Sequence, residues 1–343
     1  MNLNDKKIQI IVHVTDEYFC NRLIQSLETV TVPEDFSVEV QPVEGTEKYF
    51  AYETAMRASD AKYKIYIDER AIITDTNFPT EMLKIFQSDN SIGAIGTSGV
   101  TELSTHGISL TSSKRAPENF RGEAEIVDGF FFATQYDIPW RCDLFTDNFF
   151  GGQAQCVEFK RRGYKIFIGG SWISYTGEKF NLNNRSYQKF MDEYSAELFP
   201  LVTILIPTFN RPKYFREALE SALSQTYRNI EIVISDDSTG DETERLIRDY
   251  LARDARIKYF RNKGFTSHDN WNFLRDYNNP AAEYVNWLMD DDLFYPTKIE
   301  RMVEVYRNHP DVSLVTSAKN VIDANGNIIA TTQNFLFEQD VKN

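Results

Sequence analysis

An apolar segment runs into three consecutive aspartates in Glu283-Tyr-Val-Asn-Trp-Leu-Met-Asp-Asp-Asp-Leu-Phe-Tyr-Pro296. Its aromatic and branched residues from 284 to 288 predict a buried strand, which ends in the carboxylates of Asp290, Asp291 and Asp292. Hard oxygen ligands at a strand end suit Mg²⁺ or Mn²⁺, and such an ion also holds a substrate's phosphates. An isolated acidic triplet is more often a solvated turn ahead of a helix, so the interpretation depends on the rest of the chain.

Length and composition limit the possible classes of protein. The 343 residues are enough for about two domains, and 42% hydrophobic with 26% charged residues is ordinary for a soluble protein. Lys and Arg number 37 against 51 Asp and Glu, a net charge of −14, which argues against a nucleic-acid partner. We expect no signal peptide and no membrane span, and therefore a cytoplasmic location, with peripheral membrane association left open. Three cysteines without metal-ligand spacing predict reduced structural thiols.

The first half of the chain alternates strand and helix patterns. We predict strands at 8–14, 36–43, 63–67 and 164–168, and helices at 18–27, 50–58, 81–87 and 157–162. Residues 92–96 are interpreted as an apolar turn, and residues 101–125 as a polar loop. This alternation predicts a mostly parallel, doubly wound sheet in a first domain over residues 1–180.

A polar stretch from 181 to 199 is interpreted as a connecting helix or linker, and a second domain is predicted over residues 200–343. We predict its strands at 201–206, 230–234, 257–260 and 284–288, and its helices at 215–223, 241–251, 268–277 and after Pro296. Residues 321–329 have a hairpin pattern. Trp271 and Trp287 are expected in the core.

Three predicted strands of this second domain end in small or polar residues. These ends are Pro207-Thr208, Asp236-Asp237 and the triplet from Asp290 to Asp292. Because ligands of parallel α/β sheets bind outside the carboxyl ends of the strands, the three ends are expected on one rim. Asp236 and Asp237 would accept hydrogen bonds from a nucleoside, and a metal on the triplet would neutralise a diphosphate.

These motifs resemble, in their order and spacing, the nucleotide-binding half of a family 2 glycosyltransferase of the GT-A fold, over residues 201–332. The matching segments are Val202-Thr-Ile-Leu-Ile-Pro-Thr-Phe-Asn210, Ile232-Val-Ile-Ser-Asp-Asp-Ser238 and Trp287-Leu-Met-Asp-Asp-Asp-Leu-Phe-Tyr-Pro296. The resemblance implies a nucleotide diphosphosugar donor, a glycan or glycoprotein acceptor, and metal-dependent transfer of the sugar with inversion. It implies polysaccharide or glycoprotein biosynthesis as the setting.

The resemblance also assigns roles to individual residues. It implies that Pro207, Thr208, Asp236 and Asp237 contact the nucleotide. Asp290 and Asp291 would contact the sugar and diphosphate, and Asp291 and Asp292 would bind Mg²⁺ or Mn²⁺. Met289 stands where the family often has its first acidic residue, so the identity of the metal-binding aspartate is left open.

The acceptor half that follows the metal motif in this family is expected to be missing, so the second domain is predicted to be truncated. We expect the natural chain to continue past Asn343, with the general base in that extension, because nothing marks Glu338 or Asp340 as the base.

The first domain contains the segments Lys62-Tyr-Lys-Ile-Tyr-Ile67, Ile92-Gly-Ala-Ile-Gly96, Val127-Asp-Gly-Phe-Phe131 and Phe159-Lys-Arg-Arg-Gly-Tyr164. In these segments it resembles another group of glycosyltransferases, over residues 8–170. Its candidate site residues are Asp68, Arg70, Asp128 and Asp147. Arg70 stands at the position of the family's metal-binding aspartate, where it would repel a cation but could meet a phosphate. The residues Ser171-Trp-Ile-Ser-Tyr175 replace an expected histidine ligand. We therefore interpret the domain as degenerate, serving stability, assembly or acceptor docking; a metal-independent active site is the alternative.

The fold predicted for the whole chain is two GT-A-like α/β domains in tandem, and the predicted function is a glycosyltransferase. A sugar-phosphate nucleotidyltransferase would want a glycine-rich loop after the first strand of the second domain, and Thr208-Phe-Asn-Arg-Pro212 has no glycine. A non-catalytic scaffold or carbohydrate-binding module remains the alternative of another kind. The sequence determines neither the donor sugar nor the oligomeric state.

Overall fold

The structure is a computed structural model that describes residues 3–103, 114–147, 149–175, 184–277, 279–323 and 326–332. The chain forms two compact units, Met1–Pro200 and Leu201–Asn343. Glu338 and Asp340 lie outside the described residues.

The described part of the first unit contains twelve strands and five helices. The strands are β1 (Asn4–Val14), β2 (Ser37–Glu44), β3 (Ala61–Asp68), β4 (Ala71–Ile73), β5 (Ile92–Gly96), β6 (Gly99–Glu102), β7 (Lys114–Arg115), β8 (Gly122–Ala124), β9 (Ile126–Val127), β10 (Phe131–Thr134), β11 (Lys165–Ile168) and β12 (Ile173–Tyr175). The helices are α1 (Glu17–Leu27), α2 (Lys48–Ala58), α3 (Phe78–Ser88), α4 (Gly151–Arg161) and α5 (Asn184–Leu198).

The main sheet of this unit has the order β2-β1-β3-β10-β5-β11-β8. The pairs β1–β2, β1–β3 and β5–β11 are parallel, whereas β10 is antiparallel to both of its neighbours and β8 is antiparallel to β11. The sheet is therefore mixed, less parallel than the alternation predicted. The reason is that β10 begins beside the last residues of β3, with Phe131 opposite Ile67, so the chain runs back along β3.

The apolar turn expected at residues 92–96 is wrong, because this segment is the fully buried strand β5 between β10 and β11. Glycine is depleted in strands, which is why the pattern indicated a turn. Here the two glycines are needed for close packing: a Cβ on Gly93 would overlap Phe159, and one on Gly96 would overlap Val127. The polar loop expected at 101–125 likewise contains strands, although residues 104–113 lie outside the described part.

The helix expected between the two domains is α5, and it packs on the first unit. Phe190 and Tyr194 are fully buried, and Phe190 lies 5.6 Å from Phe150 between ring centroids. Charged pairs flank these rings, with Arg161 Nη2 2.6 Å from Glu197 Oε1. Residues 181–183 of the predicted linker lie outside the described residues.

The second unit contains six described strands and four helices. The strands are β13 (Leu201–Thr208), β14 (Ile230–Asp236), β15 (Ile257–Arg261), β16 (Ala282–Trp287), β17 (Lys319–Ile322) and β18 (Ile328–Thr332). The helices are α6 (Pro212–Leu223), α7 (Glu242–Leu251), α8 (Ser267–Asp276) and α9 (Lys298–Asn308). The first four strands form a sheet of order β15-β14-β13-β16 in which every pair is parallel, as the sequence predicts. β17 and β18 form the predicted antiparallel hairpin.

β16 corresponds to the predicted strand at residues 284–288, and it is only partly buried, although a buried strand is predicted there. β16 lies at an edge of the four-stranded sheet, and its burial alternates, with Val285 57% exposed. Apolar composition predicts a strand but does not distinguish a central strand from an edge strand, because position in the sheet depends on chain topology. On one face of the sheet, Leu205 and Val233 pack against Leu274 of α8, with Trp287 partly buried against them.

Candidate functional site

A cleft of about 440 Å³ opens at the carboxyl ends of β13, β14 and β16. Five of the seven residues predicted for the second domain line it: Pro207, Thr208, Asp237, Asp290 and Asp291. The chain adds β14 and β15 on one side of β13 and then returns to add β16 on the other side. The boundary between β13 and β16 is therefore a topological switch point. Such a switch point is where open α/β sheets bind ligands.

Asp290 joins the two strands at this switch point. Its carboxylate accepts a hydrogen bond from the Thr208 hydroxyl at 3.0 Å and a longer one from the Phe209 N–H at 3.4 Å. Burial, which leaves Asp290 8% exposed, is the largest cause that raises its pKa above the ordinary value; the two hydrogen bonds act in the opposite direction. Asp290 is thus a buried carboxyl at the floor of the cleft.

Arg211 places a positive charge between two of the predicted aspartates. Its Nη1 lies 2.7 Å from Asp291 Oδ2 and 3.4 Å from Asp290 Oδ1. The turn after β13 that presents Arg211 passes through Asn210, whose φ of 52° is left-handed. Asn210 is held there because its N–H donates to Ser238 Oγ at 2.8 Å.

Asp237 is positioned by helix α8. Asn270 Nδ2 donates to Asp237 Oδ1 at 2.8 Å and to the Ser235 carbonyl at 3.1 Å, while Asn270 Oδ1 accepts from the Ser235 hydroxyl. Burial is the largest cause that raises the pKa of Asp237, and the neighbouring Asp236 and Asp290 charges add to it. The carboxylate of Asp237 therefore faces the cleft from a fixed position.

Asp236 does not line the cleft, and its contact with a nucleotide stays a prediction. It is 0% exposed, and its carboxylate accepts from the Tyr259 hydroxyl at 2.6 Å and from the Ser238 N–H at 2.8 Å. Arg261 Nη1 lies 3.3 Å from the same carboxylate. Adjacent residues at a strand end point to opposite sides, so only one of the two aspartates reaches the cleft while the other holds the loop.

Asp292 does not line the cleft either. Asp291 and Asp292 are the pair predicted to bind a metal, but the two aspartates that lie together in the cleft are Asp290 and Asp291. The N–H of Asp292 donates to the Met289 carbonyl at 3.1 Å, and this turn leaves the Asp292 side chain exposed. Asp290 and Asp291 instead share one positive group, the Arg211 guanidinium.

The cleft contains carboxylate oxygens, the ligand type that Mg²⁺ and Mn²⁺ prefer. Among the described residues, no cluster of three or more His, Cys, Asp or Glu side chains has metal-binding geometry. The shared contact to Arg211 nevertheless shows that Asp290 and Asp291 can face one cation. Two carboxylates completed by substrate phosphates are a common Mg²⁺ environment, so the donor set fits an ion that arrives with a diphosphate.

The cleft is also lined by residues that the sequence motifs do not mark as site residues: Arg211, Phe265, Thr266, Ser267, Asn270 and Trp271. Trp271, expected in the core, is 42% exposed and lines the cleft. Its ring stacks on Trp287 with centroids 4.6 Å apart. The helical pattern of α8 would have shown that Asn270 and Leu274 share a face one turn apart, but not what that face meets.

In the first unit, the strand ends hold their charged residues in internal contacts. Asp68 Oδ2 lies 3.1 Å from Lys48 Nζ, and Asp68 Oδ1 accepts from the Arg70 N–H at 3.1 Å. The Arg70 guanidinium lies over the Phe19 ring, 5.3 Å from its centroid. Tyr175 is opposite Ala71 in the β4–β12 pair, and burial raises its pKa to about 12.

The other two candidates of the first unit are also engaged. Asp128 is buried, and one carboxylate oxygen accepts from Ser98 Oγ at 2.6 Å and from Arg115 Nη2 at 2.8 Å. Asp147 accepts from the Ser186 hydroxyl of α5 and from the Phe149 N–H. Asp128 and Asp147 thus contact Arg115 and Ser186, whereas Asp68 contacts Lys48.

The parallel sheet, its switch point and the acidic cleft define an open α/β fold with a ligand-binding position at the ends of its strands. The family follows from comparison with known proteins. A model of a "Glycosyltransferase like family" matches residues 9–118 and 111–194, more than half of the chain, and one of "Glycosyl transferase family 2" matches residues 203–341. The chain belongs to the glycosyltransferase-like family and carries a family 2 glycosyltransferase domain after it. The expected fold class, two glycosyltransferase-like α/β domains in tandem, is confirmed.

Similar proteins include an uncharacterised glycosyltransferase of Rickettsia typhi, 43% identical over 108 residues, which are 31% of this chain and 32% of that protein. Chondroitin synthase of Escherichia coli is 31% identical over 140 residues, 40% of this chain and 20% of the synthase. The match thus spans about a third or less of these relatives' own length. A mannosyltransferase from Pyrobaculum calidifontis, solved with GDP-Man and Mn²⁺, is 12% identical with a TM-score of 0.35, covering 57% of this chain and 62% of that one.

Helices able to cross a membrane were sought in the part of the chain that the structure describes. None there is both long and apolar enough.

Proposed function

We propose that the second domain binds a nucleotide diphosphosugar in the cleft at the ends of β13, β14 and β16, and that the protein transfers the sugar. The observation that supports this most is the meeting of Thr208, Asp237, Asp290 and Asp291 around one cleft at the switch point of a parallel sheet. Family membership supports the sugar-transfer chemistry.

Each cleft residue has a role that follows from its position. Asp237, at the end of β14, accepts hydrogen bonds from the nucleoside, because its carboxylate is held facing the cleft by Asn270. Thr208 and Asp290 fix the floor, since their hydrogen bond joins β13 to the segment after β16. Asp291 and Arg211 stand at the mouth, where their charges meet the diphosphate.

We propose that Mg²⁺ or Mn²⁺ accompanies the donor, held by Asp290 and Asp291. When bound, the ion stabilises the negative charge of the departing diphosphate. Arg211 would exchange its carboxylate contacts for contacts to phosphate oxygens, because a guanidinium binds either anion. The reaction we propose is a single displacement at the anomeric carbon, which inverts its configuration.

A relative's name, chondroitin synthase, refers to the synthesis of a polysaccharide. We propose a glycan or a protein-linked glycan as acceptor.

The first domain is proposed to be degenerate as a donor site. Arg70 occupies the position where the resemblance places a metal-binding aspartate, and Asp68 already pairs with Lys48 at 3.1 Å. Internal contacts also engage Asp128 and Asp147. A role in stability, assembly or acceptor docking fits these contacts.

The test is calorimetric titration of the protein with UDP, GDP, dTDP and their common sugar conjugates, with and without Mn²⁺. Asp291→Asn removes a cleft charge with little change in shape. Asp249→Asn is the matched control, because Asp249 is an exposed carboxylate near the end of α7, which returns the chain to the opposite edge of the sheet.

We expect one nucleotide to bind in a Mn²⁺-dependent manner, Asp291→Asn to weaken it by about tenfold or more, and Asp249→Asn to leave it unchanged. Binding that ignores both Mn²⁺ and Asp291→Asn would move the donor site to the first domain and Arg70. A folded protein that binds no nucleotide would overturn the proposal in favour of a non-catalytic scaffold.

A further inference from the structure

Trp271 is a large apolar side chain left partly in water at the wall of the cleft. It is 42% exposed, although it lies on a helix whose neighbouring residues Asn270 and Leu274 are buried. Leaving about two fifths of an indole in water forgoes the free energy of burying roughly 100 Å². Exposed aromatic surface inside a concave polar cleft is typical of a ligand-binding wall.

The ring is held in place from behind. Trp287 stacks on Trp271 with centroids 4.6 Å apart and an angle of 20° between their planes. Trp287 itself packs against Leu205, Val233 and Leu274, so it is tied to the hydrophobic core of the sheet. A capping box at Thr266 fixes the start of α8 one turn before Trp271. The exposed face of Trp271 is therefore a rigid surface, and rigidity reduces the entropy lost on binding.

The position of the ring selects which part of a donor it meets. Trp271 stacks on a residue of β16, whereas Asp237, proposed to hold the nucleoside, follows β14 on the other side of β13. With neighbouring strands about 4.8 Å apart, β14 and β16 are separated by about 10 Å. Asp290 and Asp291 lie on the Trp271 side, directly after β16. A donor whose nucleoside lies at Asp237 and whose diphosphate lies at Asp291 would extend its sugar toward Trp271.

The chemistry of the wall suits a sugar ring. An aromatic ring has a negative face, which attracts the partly positive C–H groups on the apolar face of a pyranose. Carboxylates of Asp290 and Asp291 in the same cleft offer acceptors to the sugar hydroxyls. The face of Trp271 can therefore contact the apolar face of a pyranose ring, while the carboxylates accept hydrogen bonds from the hydroxyls at the edge of that ring.

We propose that Trp271, supported by Trp287, is a stacking platform for the pyranose ring of the donor, and that it contributes to the choice of donor sugar. The inference rests on the proposed function, because it takes the cleft to be the donor site. It adds a binding contact that the acidic motifs do not provide.

The test compares nucleoside diphosphates with their sugar conjugates on Trp271→Ala and Trp271→Phe. Calorimetry with UDP, GDP, UDP-glucose, UDP-N-acetylglucosamine and GDP-mannose gives both affinities, and thermal unfolding reports the structural effect. Tyr214→Ala is the matched control, because Tyr214 is an aromatic residue of α6 that is 45% exposed and does not line the cleft.

We expect Trp271→Ala to weaken binding of the preferred nucleotide sugar by about tenfold while affinity for the free diphosphate changes by less than about twofold. Trp271→Phe should restore most of the loss, because a ring face remains. The control should leave both affinities unchanged.

Equal losses for the diphosphate and its sugar conjugate would show that the ring stacks on the base, and would overturn the inference while leaving the proposed function intact. Unchanged affinities with a lower unfolding temperature would show that Trp271 only packs on Trp287, which also overturns it. If the folded wild-type protein binds neither these five compounds nor dTDP and its sugar conjugates, the proposed function fails, and the inference about Trp271 fails with it.

Discussion

Replacing Asn270 with alanine removes the side chain that connects α8 to the end of β14. Asn270 is buried and takes part in three hydrogen bonds, two as donor and one as acceptor. Its donation to Asp237 at 2.8 Å is the strongest of them, because the acceptor is a carboxylate. The substitution leaves a buried carboxylate and a buried hydroxyl with fewer partners.

The magnitude follows from these bonds. The hydrogen bond to the charged Asp237 contributes about 2 kcal/mol, and each bond to Ser235 contributes about 1 kcal/mol. The higher helix propensity of alanine relative to asparagine offsets about 0.6 kcal/mol of this lost stability. We expect the free energy of unfolding of the second unit to fall by about 3 kcal/mol. This is a large part of the roughly 5–15 kcal/mol that stabilises a typical protein, so the variant should fold but unfold early.

The assay must separate the two units. All three cysteines, Cys20, Cys142 and Cys156, belong to the first unit, so pulse labelling of thiols during urea unfolding reports that unit alone. Tryptophan fluorescence reports both units, because each contains two tryptophans. A fluorescence transition that occurs at a urea concentration where the thiols are not labelled belongs to the second unit. The urea midpoint of that transition is compared between the wild type and the variant.

His268→Ala is the control for this experiment, because His268 is an exposed residue on the same helix. Exposed substitutions usually change stability by less than about 0.5 kcal/mol. If Asn270→Ala falls within that range of the wild type, the contact between α8 and β14 is not what stabilises the cleft. We also expect the variant to bind nucleotide more weakly, because Asp237 loses the donor that orients it.

Three further predictions test other contacts. Arg211→Ala should raise the affinity of the free protein for Mn²⁺, because it removes a guanidinium 2.7 Å from Asp291. Electron paramagnetic resonance measures this affinity, and an unchanged value would show that Mn²⁺ does not take the position of the guanidinium. Arg70→Ala should leave nucleotide-sugar affinity within about twofold, and a large loss would identify the first domain as the donor site. Burial holds the pKa of His13 below 6.5, so the unfolded chain binds the extra proton and stability falls as pH drops below 6.5. His13→Gln should remove that dependence, at most about 1.4 kcal/mol per pH unit, from thermal unfolding measured between pH 7 and 5.

Local sequence patterns were sufficient for most of the secondary structure. The four parallel strands of the second unit follow from apolar runs bounded by polar residues, and each predicted helix corresponds to an observed one. Two wrong predictions, for β5 and β16, both concern packing. Residues 92–96 were interpreted as a turn because they contain two glycines, but these glycines make room for Phe159 and Val127 beside β5. β16 was expected to be buried because composition does not reveal whether a strand has one neighbour or two.

The candidate site was predicted in outline and not in detail. Strand ends are local features, so Thr208, Asp237 and Asp290 could be assigned to one rim from the rule for parallel sheets alone. Which aspartate of each group faces the cleft depends on the turn that follows the strand. Asp236 turns inward to Tyr259 and Asp292 turns outward, and neither direction is encoded in the acidic motif itself.

The α/β class, the two glycosyltransferase-like domains and the acidic strand ends could be predicted from the sequence, because they depend on the period of apolar residues and on short motifs. Three features became visible only in the folded chain: Arg211 lies between Asp290 and Asp291, Asn270 orients Asp237, and Trp271 faces the cleft. These contacts join residues from about 30 to 80 positions apart, and the chain brings such residues together only when its helices pack on the sheet.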